Sequence, residues 1–253
     1  MASTSAVSRY RRVLLKLSGE AQGKVYKLED GSTLVAGFDT KRMRSEAEEI
    51  KAVIDELGVE IAVVIGGGNI FRGKDAEDID PNTADYVGML ATVSNAMMFE
   101  DILKQEGVDC CMNSSLRIEE VAEPYRYKKA KSRMRDGQVV ICAGGLGEPG
   151  FTTDTAAAQR AMNLGCEAIL MAKQGTDGIY DSDPRTNPEA SKLGNLTHLD
   201  VIERGLKVMD ATAATHAREH GIDIVVYDGS QPGMLAKVLC HPEQYGSVVR
   251  TAA

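Results

Sequence analysis

The chain has no tryptophan, and aromatic residues make up only 5% of its 253 residues. Its interior must therefore be packed by aliphatic and small side chains. No run of about 18 apolar residues occurs, so no membrane-spanning helix and no membrane partner are expected. The first residues, Met1 to Arg9, are small and polar, lack an apolar signal core and read as a loose tail. Cysteine is sparse: Cys110, Cys111, Cys142, Cys166 and Cys240 are odd in number and include no CxxC pair. Neither a disulfide framework nor a zinc site is indicated, no metal ligand set is assigned, and reduced buried thiols point to a cytoplasmic protein. Positive charge is also short, with 29 Lys plus Arg against 37 Asp plus Glu and a formal net charge of -8. A chain so acidic does not grip nucleic acid nonspecifically, and any polyanionic ligand must be met by local cations. The GxxxxGK[ST] pattern is absent, which excludes a Walker A nucleotide site. No strand leads into GxGxxG with an acid at ribose-binding distance, which disfavours a nicotinamide dehydrogenase.

What the chain does have is strands that end in glycine. The run Val63-Val64-Ile65-Gly66-Gly67-Gly68-Asn69-Ile70-Phe71-Arg72-Gly73 takes a buried, β-branched strand into three glycines and an arginine. Backbone N–H groups without a Cβ can approach a phosphate closely, and Arg72 can add a planar two-pronged contact. A plain tight strand-to-helix turn is the alternative for that stretch alone. It recurs, however, at Val139-Val140-Ile141-Cys142-Ala143-Gly144-Gly145-Leu146-Gly147 and at Leu14-Leu15-Lys16-Leu17-Ser18-Gly19-Glu20. Three such ends predict one crevice at the carboxyl edge of a parallel sheet.

Taken in order, Tyr10 to Leu17 predicts a first strand. Lys16 in it is either met by something anionic or snorkels out at the strand end. Residues 19–38 show no helical pattern, and a short hairpin is expected around Asp30-Gly31. Asp39 reads as the cap of a helix that Gly58 stops. A strand over 59–65 follows, then a charged surface loop from Lys74 to Pro81. The next helix is expected over Thr83 to Glu106, with Asp85 in its first turn, where a helix-dipole role is the bland alternative. Val108 to Met112 predicts a short strand. A helical segment is expected around Pro124, and its basic cluster (Arg126, Lys128, Lys129, Lys131, Arg133, Arg135) is most simply a solvated face. Thr152, Thr153 and Asp154 lead into an alanine-rich helix closed by Gly165, their hydroxyls and free amides forming an anion site or Thr153 or Asp154 simply capping it. Glu167 to Ala172 predicts a strand, after which two turns bracket Tyr180 and offer an exposed ring to a flat base. Loop and strand edge fill 187–200, followed by helices over Val201 to Gly205 and Ala211 to Glu219. A strand over Ile222 to Tyr227, a helix over Met234 to Cys240 and a terminal edge strand over Ser247 to Arg250 complete an α/β alternation without repeats.

Lys16-Leu17-Ser18-Gly19-Glu20, Gly66-Gly67-Gly68-Asn69 with Arg72-Gly73, Asp85 with Gly88-Met89-Leu90-Ala91-Thr92-Val93, Phe151-Thr152-Thr153-Asp154, Asp177-Gly178 with Asp183-Pro184, and Lys207-Val208-Met209-Asp210 together resemble the bacterial uridylate kinases of the amino acid kinase family. The likeness runs from about Arg12 to Val249. It implies a three-layer αβα sandwich around a mainly parallel sheet, in a single domain over 10–253. The UMP half would be about 10–165 and the ATP half about 166–253. It implies ATP with Mg²⁺ as phosphoryl donor, in-line transfer to UMP, a homohexamer, inhibition by UTP and modulation by GTP. By position, Lys16, Arg72, Asp154 and Asp210 would serve catalysis. Lys16, Leu17, Ser18, Gly19, Gly68, Arg72, Gln174, Tyr180 and Asp183 would hold ATP. Gly67, Asp85 and the loop Leu146, Gly147, Glu148, Pro149, Gly150, Phe151, Thr152 and Thr153 would hold UMP. Residues 20–39 are longer than the family pattern, and Lys173 to Thr176 departs from it in part. Another small-acid kinase of the same fold and a non-catalytic uridylate sensor are the alternative functions.

Overall fold

The computed structural model describes residues 7–73, 78–206 and 208–251. Met1 to Ala6 of the expected tail, Lys74 to Glu77 of the charged loop and Lys207 of the Lys207-Val208-Met209-Asp210 stretch lie outside the described residues. The first half of the chain forms β1 (Arg12–Leu17), α1 (Gly19–Gln22), β2 (Lys24–Lys27), β3 (Thr33–Ala36), α2 (Thr40–Leu57), β4 (Glu60–Ile65), α3 (Pro81–Gln105), β5 (Cys110–Ser114), β6 (Glu123–Pro124), α4 (Tyr127–Arg135) and β7 (Val139–Ala143). The second forms α5 (Thr153–Leu164), β8 (Ala168–Lys173), β9 (Ile179–Tyr180), β10 (Lys192–Leu193), β11 (Asn195–Thr197), α6 (His198–Glu203), α7 (Ala211–Glu219), β12 (Asp223–Asp228), α8 (Met234–Cys240), α9 (Pro242–Tyr245) and β13 (Gly246–Arg250).

Nine strands make one sheet in the order β11-β13-β12-β8-β1-β4-β7-β5-β6. Its pairs are parallel except β12 with β13. Period-two alternation divides the core. Val13, Leu15 and Leu17 of β1 pack with Met43, Ile50, Phe99 and Leu239 on one face, whereas Leu14 packs with Ala157, Ala161 and Leu164 on the other. That is the expected αβα sandwich. Strand β1 has β4 on one side and β8 on the other, so the chain turns back across the sheet at β1, where parallel sheets open a crevice at their carboxyl ends.

Local chemistry explains most boundaries and several departures. Asp39 caps α2 by accepting from Arg42 N–H at 3.1 Å, and Gly58 ends it at φ 63°. Asp80, with Pro81 behind it, starts α3 earlier than expected, so Asp85 lies beyond the first turn and Asp80 supplies the cap. One turn of helix, α1, follows Ser18 where no helical pattern was expected, because four residues are too few to show one. The hairpin β2–β3 forms around Asp30-Gly31. Pro124 sits in the two-residue β6 rather than in a helix, and α4 begins at Tyr127. Strand β13 is interior, not an edge, since β11 covers its outer side. Residues of the expected tail that are described are tied down: Arg9 N–H donates to Leu239 O at 2.8 Å, and Ser8 Oγ donates to Tyr10 O at 2.7 Å.

Candidate active site

Lys16 shares the face of Leu14, so its side chain leaves the end of β1 toward α5. There Asp154, in the first turn of α5, lies 2.6 Å from the ammonium, with both side chains largely buried. The lysine is thus met by an anion and does not snorkel into solvent. Ser18 and Gly19 continue beyond Leu17, whose own side chain is buried in the core and leaves only its backbone for a ligand.

The three strand ends interlock through backbone. Gly66 N–H donates to Leu17 O at 3.0 Å, and a Cβ on Gly19 would overlap the Gly66 carbonyl. A Cβ on Gly67 would stand 2.8 Å from that of Ala91 and 2.9 Å from Gly88 O, so this glycine is required for the turn to lie against α3. Asn95, fully buried within α3, donates to Gly66 O at 2.6 Å and exchanges side-chain bonds with Asn69. Sequence reasoning missed Asn95; its signal was an amide among apolar neighbours on a core helix. Arg72 folds back, donating from Nε to Gly68 O at 3.1 Å and pairing with Glu20 at 3.1 Å. It therefore closes over the glycine turn rather than pointing at Lys16.

On the other flank, the segment from Gly144 to Gly150 bends through left-handed glycines at 144, 145, 147 and 150. Gly150 N–H donates to Asp85 Oδ2 at 2.6 Å, so Asp85 reaches out of α3 to close this loop. Leu146, Gly147 and Pro149 are half-buried, while Glu148, Gly150, Phe151 and Thr152 are exposed. Thr152 caps α5 by accepting from Asp154 and Thr155 N–H, and its hydroxyl donates to Asp210; Thr153 is the first residue of the helix. Asp210 also accepts from Thr155 Oγ1 at 2.9 Å and caps α7 through Ala213 N–H at 2.8 Å. Burial alone would push its carboxyl upward, but the bonds from Thr152, Ala213 and Thr155 outweigh it and hold the group below the usual carboxylate range.

Beyond Lys16, a cavity of about 370 Å³ opens between the ends of β8 and β12, lined by residues that include Lys173, Tyr180, Asp183, Arg204, Leu206 and Val208. Tyr180 and Asp183 are brought together there. Gln174 is exposed and does not line the cavity. Tyr180 is half-buried rather than exposed, with its hydroxyl donating to Asp177 at 2.7 Å. Lys173, which had no assigned role, donates to Val208 O at 3.3 Å. Burial, then the neighbouring Lys16, push its ammonium below the ordinary lysine value, with Asp154 opposing. Two ammonium groups thus stand near one carboxylate at the switch point, an arrangement suited to an anionic ligand between them.

The family model described as the amino acid kinase family matches residues 12–228. The chain belongs to the amino acid kinase family. A uridylate kinase of Streptococcus thermophilus is 45% identical over 250 residues, covering 98% of each chain. One of Deinococcus radiodurans is 43% identical over 243 residues, covering 96% of each. Among solved structures, the UMP kinase of Bacillus anthracis superposes with a TM-score of 0.88 at 37% identity, over 96% of this chain and 97% of that one. That of Ureaplasma parvum gives 0.84 at 32%, over 97% and 100%. This amino acid kinase therefore shares its whole fold, including both flanks of the cleft, with proteins named for a nucleotide phosphoryl transfer.

Proposed function

We propose that the chain transfers the γ-phosphoryl group of ATP to UMP, giving UDP and ADP. The observation that carries the reading is the position of Lys16. It stands at the sheet's switch point, held by Asp154, between a loop clamped by Asp85 on one flank and a nucleotide-sized cavity on the other. The cavity at β8 and β12 is read as the donor site, with Tyr180 and Asp183 beside the adenosine and Gly19, Gly68 and Arg72 near the phosphates. The flank of Gly67, Asp85 and Leu146 to Thr153 is read as the acceptor site. An ionised UMP phosphate needs no general base, so the protein must chiefly offset repulsion between two anions and align them. Lys16 would face the transferred group, Asp154 would orient Lys16, and Arg72 would swing from Glu20 to the phosphates.

Among the described residues no three His, Cys, Asp or Glu side chains converge as a metal cage. Magnesium commonly rides on nucleotide phosphates with one or two carboxylates, and Asp154 and Asp210 are the carboxylates beside the α5 N-terminus that suit this. When bound with ATP it would neutralise charge on the β- and γ-phosphates. Self-association into the homohexamer implied by the resemblance is supported by Tyr86, Val87, Leu90 and Met97, apolar side chains that α3 leaves exposed. Among the described residues no helix is long and apolar enough to cross a membrane. A coupled assay of ADP release tests the reading with UMP, CMP, carbamate and acetylglutamate as acceptors. UMP should be preferred by orders of magnitude. Preference for a small acid would move the chain elsewhere in the family, and UMP binding without turnover would make it a sensor.

A further inference from the structure

Arg160 lies on α5 two turns beyond Asp154, is buried, and has no part in the scheme above. Its guanidinium stacks 3.9 Å above the Tyr125 ring. From Nη2 it donates to Ser115 Oγ at 2.7 Å and to Gly145 O at 3.1 Å, and Ser115 Oγ itself donates to Gly145 O at 2.8 Å. Among the described residues no carboxylate pairs with Arg160, which is uncommon for a buried arginine because removing the charge from water is costly. Here that charge is directed onto one carbonyl of the glycine loop, through two donors that converge on a single oxygen. We propose that Arg160 is a positioning residue for the acceptor nucleotide, acting by pinning the Gly145 peptide so that the next amide faces the cleft.

The geometry follows from the planar trans peptide, in which the carbonyl of one residue and the N–H of the next point in opposite directions. With Gly145 O held toward Arg160, Leu146 N–H is directed away from it, and among the described residues no backbone partner takes it up. Gly145 needs help to stay so. Its φ of 57° lies in the left-handed region, between Gly144 at 73° and Gly147 at 83°, where glycines interconvert at little penalty. The other anchors are a turn bond from Gly147 N–H to Gly144 O at 3.0 Å and two ties at the ends, where Thr92 Oγ1 accepts from Gly144 N–H at 2.9 Å and Asp85 accepts from Gly150 N–H. Arg160 thus supplies the charged clamp in the middle. Because α5 also carries Asp154, the same helix would set Lys16 and the acceptor loop together, fixing the distance between the transferred group and its acceptor. A hydrogen-bond acceptor on the incoming nucleotide, a phosphoryl oxygen or a base carbonyl, is the chemistry that the freed amide takes.

This rests on reading the loop as the UMP site, and the test separates the two claims. Arg160→Met and the milder Ser115→Ala are prepared in the full chain. KM for UMP, KM for ATP and kcat are measured, together with amide hydrogen exchange of the peptide over 144–150. KM for UMP should rise roughly 10- to 100-fold in Arg160→Met, the range over which supporting groups act, with KM for ATP within about threefold. Exchange over 144–150 should accelerate in both variants while β4 and β7 stay protected. Unchanged loop exchange in the folded variants overturns the positioning role whatever the substrate is. So does an equal change in both KM values. Faster loop exchange in the variants of a parent chain that does not phosphorylate UMP would keep the clamp and remove the substrate. Ser115→Ala keeps the test decisive if Arg160→Met fails to fold.

Discussion

The two walls of the cleft are made of different material. On the β1 and β4 side, glycines press backbone against backbone: Gly19 against Gly66, Gly66 against Leu17, Gly67 against Gly88 O, with Asn95 tying the turn to α3. On the β8 and β12 side, the two-residue strand β9 and the turn after it carry side chains around an open cavity, and polar groups there bond mainly to near neighbours. Tyr180 reaches Asp177, Lys192 reaches Asp177, and Arg185 turns back on Asp183. A wall of interlocked backbone cannot shift without breaking the sheet, which suits fixed donors for developing charge. A wall of side chains can rearrange around a nucleotide, which suits binding and release. Substitutions on the first should damage the chemical step, and those on the second should mainly weaken binding.

The comparison breaks if its most rigid cation proves dispensable. Lys16→Ala should lose about 2.7 to 4 kcal/mol of transition-state stabilisation, the scale of one preorganised charge donor, read as kcat/KM with folding checked by circular dichroism. Arg72→Ala should lose a comparable amount, since the arginine must leave Glu20 to act. Near-normal turnover in either would exclude that residue from the mechanism. Next in size is the backbone itself. Gly67→Ala introduces a Cβ 2.9 Å from a carbonyl that cannot move aside, and roughly 1–3 kcal/mol of stability should be lost, as for overpacked cores. Gly73→Ala, where no atom of the described residues lies within 4 Å of an added Cβ, is the control and should be close to neutral in the same denaturant titration.

Asp85→Ala sharpens the comparison by separating substrates. Its carboxylate holds Gly150 N–H, and α3 is already capped by Asp80, so little dipole stabilisation should be lost. KM for UMP should rise about tenfold or more, with that for ATP within a few-fold, because buried polar recognition penalises an unpaired partner. A lower melting temperature with unchanged UMP affinity would make Asp85 a structural residue only.

The rigid wall was legible in the sequence and the soft one was not. Glycine after a β-branched run has a local cause, so the ends of β1, β4 and β7 could be read directly, as could the cap Asp39 and the stop Gly58, whereas the cap of α5 is Thr152, just ahead of the expected Thr153 or Asp154. Strand order is a long-range property. Nothing local to Ser247 through Arg250 signals that β11, some fifty residues earlier, pairs outside it, so an interior strand looked like an edge. Asp85 likewise could be placed on a helix, but its partner Gly150 is 65 residues away. Strands β9 and β10 are too short for period two to show. Lys173 and Arg160 carry no motif; their meaning comes from which oxygen or charge the fold sets beside them.

The smallest expected effect concerns what stands behind the rigid wall. Gln22, at the end of α1, is fully buried and donates to Glu46 Oε2 at 2.8 Å, while Arg42 pairs with the other carboxylate oxygen at 3.1 Å. Burial pushes the Glu46 carboxyl up to about 7 even against Arg42, above its value of 4.5 when free. With the folded value raised, the native state holds a proton that the unfolded chain has released between those two values. Stability should therefore fall as pH rises through that window and level off above it. Glu46→Gln removes the titration but keeps a hydrogen-bond acceptor for Gln22. Its stability should be flatter between about pH 5 and about pH 8, by on the order of 1 kcal/mol relative to the parent. Urea titrations across that range decide it. If the parent gains stability with rising pH and Glu46→Gln abolishes that gain, Glu46 is an ion-paired carboxylate in the native state. The backing of α1 is then a salt bridge, no less charged than the donor wall it was contrasted with.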